Sequence, residues 1–319
     1  MSTISHSNQG IQPVAHDSFL DGSSEMAALI RSRDWSATPL GPVATWPQSL
    51  RTTVSLCLAS NFPINIVWGP QFTQIYNDGY RTLCGDKHPD ALGMDYRECW
   101  ASAWPAIGQP FVQALAGNTS FLENQRMFLF RNGYLEETFF TFSLSPIRDE
   151  SGGIGGLFHP VTETTATIIG ERRTRAVRDL TARLGEATTI AEVFSATVAT
   201  LAGFDLDLPF LLLYRRDDGG DYRLTGCHGV ATGSVLSPAI LAPGSASVSA
   251  PATPWPLATV LAGPGAVRVD GLRAHIGALR CGPYDEAPDQ AFALPIGARG
   301  AGAPVALMIA GASARLPMN

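Results

Sequence analysis

Arg126–Glu163 reads RMFLFRNGYLEETFFTFSLSPIRDESGGIGGLFHPVTE. Phe140, Phe142 and Leu144 alternate with Thr141, Ser143 and Ser145, the period of a strand with one buried face. Asn132-Gly133 is the pair best suited to a type I′ turn, whose two central residues both need positive φ. DESGG at 149–153 makes a second turn, and Ile154–Val161 returns as a third strand. The stretch is therefore a three-strand antiparallel meander.

Upstream, Ile64–Trp68 and Phe72–Tyr76 are short apolar runs split by Gly69-Pro70, which predicts a tight hairpin. YNDGYRTLCGDKHPDALG supplies short helical turns between the hairpin and the meander. Trp100–Leu115 reads as a helix in two pieces around Pro105 and Pro110. Earlier still, Ser23 or Ser24 can N-cap a short helix with Met26, Leu29 and Ile30 on one face. Pro47–Ser60 is a second helix with proline in its first turn and Leu50, Val54, Leu56 and Leu58 inside it. Residues 1–23, rich in Ser, His, Gln and Asn, are expected to be disordered.

Downstream, VTETTATIIGERRTRAVRDLTARLGEA at 161–187 opens the longest segment without proline, 161–208. Ile169, Ala176, Val177, Leu180 and Leu184 form a narrow apolar stripe at helical spacing. Glu171→Arg175 and Asp179→Arg183 are acid-before-base pairs at i,i+4. Arg173 interrupts the stripe, and Gly170 lowers helix propensity near its start. Such a helix packs either against a second copy of itself or against the edge of its own domain. Ile190–Leu201 is a further amphipathic helix, with Val193, Phe194, Val198 and Leu201 on its apolar side. Phe210–Tyr214 and Tyr222–Cys227 form a hairpin around DDGG at 217–220. A short helix follows at 251–261, then a strand at 266–270. Gln290–Ile296 and Pro304–Ala310 make a last hairpin around ARGAGA.

The chain has 319 residues, enough for two domains, and 45% apolar residues supply two cores. A net charge of −6 argues against general nucleic-acid affinity, which needs a basic face. No apolar run approaches the roughly 18 residues that span a bilayer. The start has neither a charged n-region nor an apolar h-region, so no membrane association and a cytoplasmic location are expected. Cys57, Cys84, Cys99, Cys227 and Cys281 are odd in number and scattered, which fits reduced thiols.

The order of two strands, short helices and a meander running into a long helix resembles the PAS fold, a five-stranded antiparallel sheet cupping a pocket. DWSATPLGP, WPQSLRT, YNDGY, KHPDALG, NGYLEETFFTFSLSPIRDESGGIGG and PVTETT resemble the PAS domains that precede GAF domains in bacterial sensor histidine kinases. Pro160 stands where that family usually has an aspartate coupling the sheet to its exit helix. WPLATVL, QAFALPI and PVALMIAG resemble stations of a GAF domain. That family closes its domain with a long helix, and ARLPMN at the end of this sequence would be its start, so the GAF domain is expected to be C-terminally incomplete. The fold class expected is α+β: a disordered segment at 1–23, a PAS domain with an N-terminal helical extension at 24–162, a connecting signalling helix at 163–188 and a GAF domain at 189–319.

The resemblance implies a non-catalytic sensory module, the input region of a sensor histidine kinase in a two-component phosphorelay. Its PAS pocket would bind a small-molecule signal through Trp68, Tyr76, Asn77 and His159, all on or beside strands. Homodimerisation would run through the connecting helix, and a downstream output domain or response regulator would be the partner. The alternatives are a cofactor-based photo- or redox sensor, or an input to a PP2C-type phosphatase or diguanylate cyclase.

No catalytic machinery is expected. The transmitter's phosphoacceptor helix and ATP boxes, a GxxxxGK[ST] loop and a GxSxG elbow are all missing from the sequence. Glu136 and Glu137 point to opposite strand faces, cannot share a site, and are expected at a solvated hairpin end. Cys84 and His88 lack further metal-ligand spacing, so no metal is expected. Cofactors are not expected either. His159 could ligate haem, but YRTLCGDKH lacks the flavin-binding pattern around Cys84. Cys227-His228 lacks the words around a bilin cysteine, and YDE at 284–286 lacks the rest of a cyclic-nucleotide signature.

Overall fold

Five strands build the first sheet. They are β1 (Ile64–Trp68), β2 (Thr73–Tyr76), β3 (Ser120–Phe130), β4 (Leu135–Arg148) and β5 (Ile154–Glu163). The sheet is antiparallel in the order β2-β1-β5-β4-β3, so the meander and the early hairpin meet through β1 and β5. The computed structural model describes residues 18–243, 253–276, 281–297 and 303–316. It divides into two units, Met1–Ile168 and Ile169–Asn319.

In the first unit, α1 (Glu25–Ser32) starts at Ser24, whose Oγ accepts the Ala27 N–H at 3.1 Å. α2 (Gln48–Ala59) packs Leu50, Val54 and Cys57 into the core. The stretch between β2 and β3 forms α3 (Asp78–Cys84), α4 (Tyr96–Cys99) and α5 (Trp104–Leu115). Trp104–Leu115 is one helix, not two pieces. Pro105 falls in its first turn, where no intrahelical N–H is required, and Pro110 is accommodated inside it.

Residues 18–23 correct the expected disorder, while 1–17 lie outside the described residues. Leu20 is buried, the Phe19 ring sits 6.1 Å from that of Trp46, and Arg31 donates to the carbonyls of Leu20 and Gly22. Burying one leucine yields about 1.5–3 kcal/mol, enough to order a short polar segment at its apolar end.

The turn between β3 and β4 also differs from expectation. Phe130 pairs with Leu135, leaving a four-residue loop, Arg131–Tyr134. Gly133 takes a φ of +78°, but Asn132 is not left-handed. The reason is chemical: Arg131 turns inward, and the Asn132 amide donates to Glu136 at 2.7 Å. Glu136 and Glu137 are likewise no solvated end. Both are buried, and Arg131 and Arg126 reach them at 3.2 and 2.7 Å. A buried carboxylate requires such a partner.

α6 (Thr165–Glu186) leaves β5 and passes into the second unit after Ile168. The second unit also contains α7 (Ile190–Leu201), β6 (Leu211–Arg216), β7 (Tyr222–His228), β8 (Ile240–Leu241) and α8 (Leu257–Ala262). It is completed by β9 (Val267–Asp270), α9 (Arg273–Ile276), β10 (Gln290–Ile296) and β11 (Ala306–Ala312). Its six-stranded antiparallel sheet runs β8-β7-β6-β11-β10-β9. Thr189 and Glu192 form a reciprocal capping box that fixes the start of α7. A Cβ on Gly226 would come 2.6 Å from the Val198 methyl, so glycine allows α7 to lie close on β7. The ARGAGA turn and the ARLPMN end lie partly outside the described residues.

The α6 stripe is divided. Leu180 packs with Leu201, Leu211 and Ala310 of its own unit, and Ile169 is buried. Ala176 and Leu184 are half-buried, and Val177 is 66% exposed. Arg173, the interruption, lies 3.5 Å from Asp207. Asp179 pairs with Arg178 at 3.3 Å instead of Arg183, and no ion pair joins Glu171 to Arg175 among the described residues.

Candidate functional site

Strand register decides which side chains share a face. Asn65 pairs with Tyr76 on one side and His159 on the other, so all three point to the face covered by α3–α5. There, Tyr80 and Leu83 of α3, Tyr96 of α4 and Ile107 of α5 close over Phe142, His159 and Val161 of the sheet. The cavity between them measures about 30 Å³. That volume holds one or two water molecules. As packed, it does not fit haem, flavin or bilin.

His159 stands at the wall of this cavity, ringed edge-on by Phe142 at 5.3 Å, Tyr96 at 5.8 Å and Tyr80 at 6.1 Å. Its Nδ1 is buried without a hydrogen-bond partner. Its cross-strand neighbour Asn65 donates from Nδ2 to Gln74 Oε1 at 3.2 Å, and its Oδ1 is buried and unpartnered. Gln74 in turn receives Trp100 Nε1 at 3.3 Å and donates to the Ala91 carbonyl at 2.8 Å. The floor is thus a polar network that leaves two buried atoms, His159 Nδ1 and Asn65 Oδ1, without a partner.

Burial pushes the His159 imidazole down to about 3, so the ring is neutral near pH 7. Between that value and the ordinary 6.5 the unfolded chain binds a proton that the folded chain does not. Stability therefore falls as pH drops through this window, by about 1.4 kcal/mol per unit. Between about pH 7 and pH 4.5, wild type should lose about 2–3 kcal/mol more than His159→Phe in urea unfolding. Parallel profiles would contradict a buried neutral imidazole.

The other three expected pocket residues lie elsewhere. Trp68 faces the opposite side of the sheet, where a Cβ on Gly155 or Gly156 would meet its ring at 2.8 or 2.7 Å. Tyr76 shares the His159 face, but its hydroxyl goes to His88 Nδ1 at 3.0 Å and it does not line the cavity. Asn77 is consumed by the backbone. Its Oδ1 accepts the N–H groups of Ile64 and Tyr80, both at 3.0 Å, and its Nδ2 donates to the carbonyls of Cys57, Ser60 and Phe62. Tyr80 and Tyr96 line the cavity and were not among the expected residues. Asn65, the lone polar residue within INIVW, shares the His159 face without lining the cavity.

A second feature joins the cavity to the start of α6. Arg131 is 8% exposed and grips Glu163, the last residue of β5, with two bonds of 2.9 and 2.8 Å. It also bonds Glu136 at 3.2 Å and the carbonyl of Leu83, a cavity residue, at 3.2 Å. Glu163 accepts from Thr165 Oγ1 at 2.8 Å, and that hydroxyl accepts the Phe139 N–H at 3.0 Å. The end of α3 touches the same loop: Asp86 N–H donates to the Arg131 carbonyl at 2.8 Å. A Cβ on Gly85, where φ is +55°, would fall 2.5 Å from Asn132 Oδ1, so only glycine fits.

The remaining sequence candidates show no assembled chemistry. All five thiols are free. Burial pushes Cys84 up to about 12, which leaves it an unreactive thiol. Cys227 Sγ donates to the Val230 carbonyl at 3.1 Å, and Glu286 of the YDE segment pairs with Arg315 at 2.7 Å. Among the described residues, no three His, Cys, Asp or Glu side chains gather as a metal site. No described helix is long and apolar enough to cross a membrane.

No family model and no curated protein matches the chain. Among solved structures it is similar to an RNA-binding Light-Oxygen-Voltage receptor, at 20% identity and a TM-score of 0.31 over 44% of this chain. It spans 40% of that receptor. It is also similar to the GAF domain of an Acinetobacter phosphoenolpyruvate-protein phosphotransferase, at 11% identity and a TM-score of 0.33, over 46% of this chain and 81% of that one. The PAS domain of a protein from Colwellia psychrerythraea is similar at 17% identity and a TM-score of 0.29, over 36% of this chain and 97% of that one. The chain is α+β, with two antiparallel sheets flanked by helices, and the three structures named are a LOV receptor, a GAF domain and a PAS domain.

Proposed function

We propose that this chain is a sensory input region whose first unit receives a small-molecule signal in the cavity at His159. The observation that carries the reading is continuity: β5 holds His159 in the cavity wall and ends at Glu163, and Arg131 ties Glu163 to the Leu83 carbonyl beside the same cavity. A ligand that moves α3 would alter this grip and so the start of α6. It can shift the equilibrium only by its differential affinity for the two arrangements.

The output proposed is a histidine kinase transmitter in a two-component relay; a PP2C-type phosphatase or a diguanylate cyclase would use the same input. Val177, the exposed member of the α6 stripe, is the residue available for contact with a second copy. The proposed module has no catalytic residue, metal or cofactor of its own and works in the cytoplasm. RNA binding, named for one of the similar structures, is not proposed for this chain, because a net charge of −6 does not suit it.

Ala103 lines the cavity and is buried. Ala103→Leu should fill the space and change amide exchange over residues 163–175 several-fold while the sheet stays protected. Unchanged exchange over that segment, in a variant that folds, removes the relay.

A further inference from the structure

We infer that the second unit holds a small-molecule site of its own, a groove between α6, the end of α7 and strands β10 and β11 that takes an apolar carboxylate. Every residue lining it belongs to the second unit, so the site stands whatever the cavity at His159 binds.

Strand register builds the floor. Phe292 of β10 pairs with Ala310 of β11, and Gln290 pairs with Ala312, so these side chains share one face of the sheet. It is the face that α6 and α7 cover, since Leu180 and Leu201 pack with Ala310 there. β11 offers this face only the small side chains of Ala310 and Ala312, and Gly311 between them adds none. A Cβ on Gly311 would meet the Phe210 ring at 2.4 Å. The space left above the floor measures about 400 Å³. Small-molecule sites occupy roughly 300–1,000 Å³, so this groove has room for a ligand as it stands. Its walls are Val177, Leu180, Leu201, Phe204, Leu208 and Phe292. Phe204, Leu208 and Phe292 are only half-buried and Val177 is exposed, so a hydrocarbon body laid here removes apolar surface from water.

Charge sets the head group. Arg173 and Asp207 are the ionisable side chains of the lining among the described residues. Asp207 is fixed in place: its N–H donates to the Phe204 carbonyl at 3.0 Å, and its own carbonyl accepts the Ser313 N–H at 3.1 Å. Its side chain is 11% exposed, with Arg172 Nε 2.5 Å from Oδ2 and Arg173 Nε 3.5 Å from Oδ1. The second distance is too long for a hydrogen bond. Arg172 therefore answers the buried carboxylate, and Arg173, 55% exposed at the groove, keeps its donors for a ligand. A ligand carboxylate can take a forked pair of bonds from that guanidinium. An ammonium would meet Arg173 as a like charge and would have to displace Arg172 from Asp207, which selects the anion.

Arg173 is also the residue that interrupts the apolar stripe of α6, and the groove gives that interruption a use. The competing occupant is a second copy docked through Val177. Its stripe, Ile169, Ala176, Val177, Leu180 and Leu184, offers Arg173 no carboxylate. Two copies packed stripe to stripe would desolvate that charge without a partner, whereas an apolar carboxylate satisfies both the walls and the guanidinium.

The test uses the full chain and four probes: octanoate, 1-octanol, octylammonium and acetate. Binding is followed by calorimetry and by amide shifts over residues 173–180 and 204–208. Octanoate should bind and move both segments, octylammonium should bind roughly tenfold more weakly, and acetate, without an apolar body, should not bind. Arg173→Gln should weaken octanoate roughly three- to tenfold, as suits a half-exposed ion pair, and leave 1-octanol unchanged. Added salt should weaken octanoate but not 1-octanol. Ala176→Phe, which fills the groove from α6, should weaken both by roughly tenfold or more. Both variants are checked for folding by circular dichroism. Octylammonium binding as tightly as octanoate overturns the inference, as does octanoate binding that ignores either variant. Absence of octanoate binding overturns it as well. So does a dimer in sedimentation whose groove admits octanoate only after Val177→Gln has made it monomeric, the result for an interface between copies.

Discussion

Asn77→Ala is expected to cost about 4 kcal/mol and to lower the melting temperature of the first unit by roughly 10 °C. Alanine removes both ends of an amide that is fully buried. Two N–H groups, of Ile64 and Tyr80, lose their acceptor, and three carbonyls, of Cys57, Ser60 and Phe62, lose their donor. Each orphaned buried group costs about 1–3 kcal/mol, reduced wherever water reaches the carbonyls at the end of α2. The bond from the Tyr80 N–H is also the N-cap of α3, so the loss of the cap is part of that cost. Asn77→Asp separates the two halves. It keeps the acceptor and the cap but turns a negative oxygen onto three carbonyls, so it should be destabilised at neutral pH and partly recover in acid. Urea unfolding measures both variants. A loss under about 1 kcal/mol for Asn77→Ala would return this residue to the list of ligand contacts.

Asn77 illustrates what the sequence could and could not tell. The fold was legible because strand alternation at 140–145, the Gly69-Pro70 break and the capping residues act locally, and each element they marked is present. The faces of β1 were not legible. INIVW is buried along its whole length, so it has no alternation to read, and only its pairing with β5 sets which residues share the His159 face. That parity puts Asn65 with His159 and turns Trp68 away. His159, conspicuous as a histidine within an apolar strand, lines the cavity. Arg131 was hidden, because the Asn-Gly beside it reads as an exposed turn, and its partner Glu163 lies 32 residues later. Leu20 was lost in polar surroundings, although one leucine in the core outweighs the composition of its neighbours.

Arg131→Leu should destabilise the first unit by about 3–5 kcal/mol, because it leaves buried carboxylates without a counter-charge. Glu136 has 7% of its side chain exposed and Glu163 26%, so the cost falls mainly on Glu136. Replacing the whole pair is a different matter: Arg131→Leu with Glu136→Leu removes the orphaned charge and should restore most of the stability. The double variant then isolates the role in transmission. It still lacks the bidentate bond to Glu163 and the bond to the Leu83 carbonyl, the links from the cavity to the first turn of α6. In that background Ala103→Leu should no longer alter amide exchange over residues 163–175, although the unit is folded and the cavity filled. If the response survives, Arg131 is a structural clamp only, and α6 feels the cavity through β5 alone. Pro160 makes this outcome informative: with no carboxylate at that position, Glu163 is where the strand end bonds the Arg131 loop.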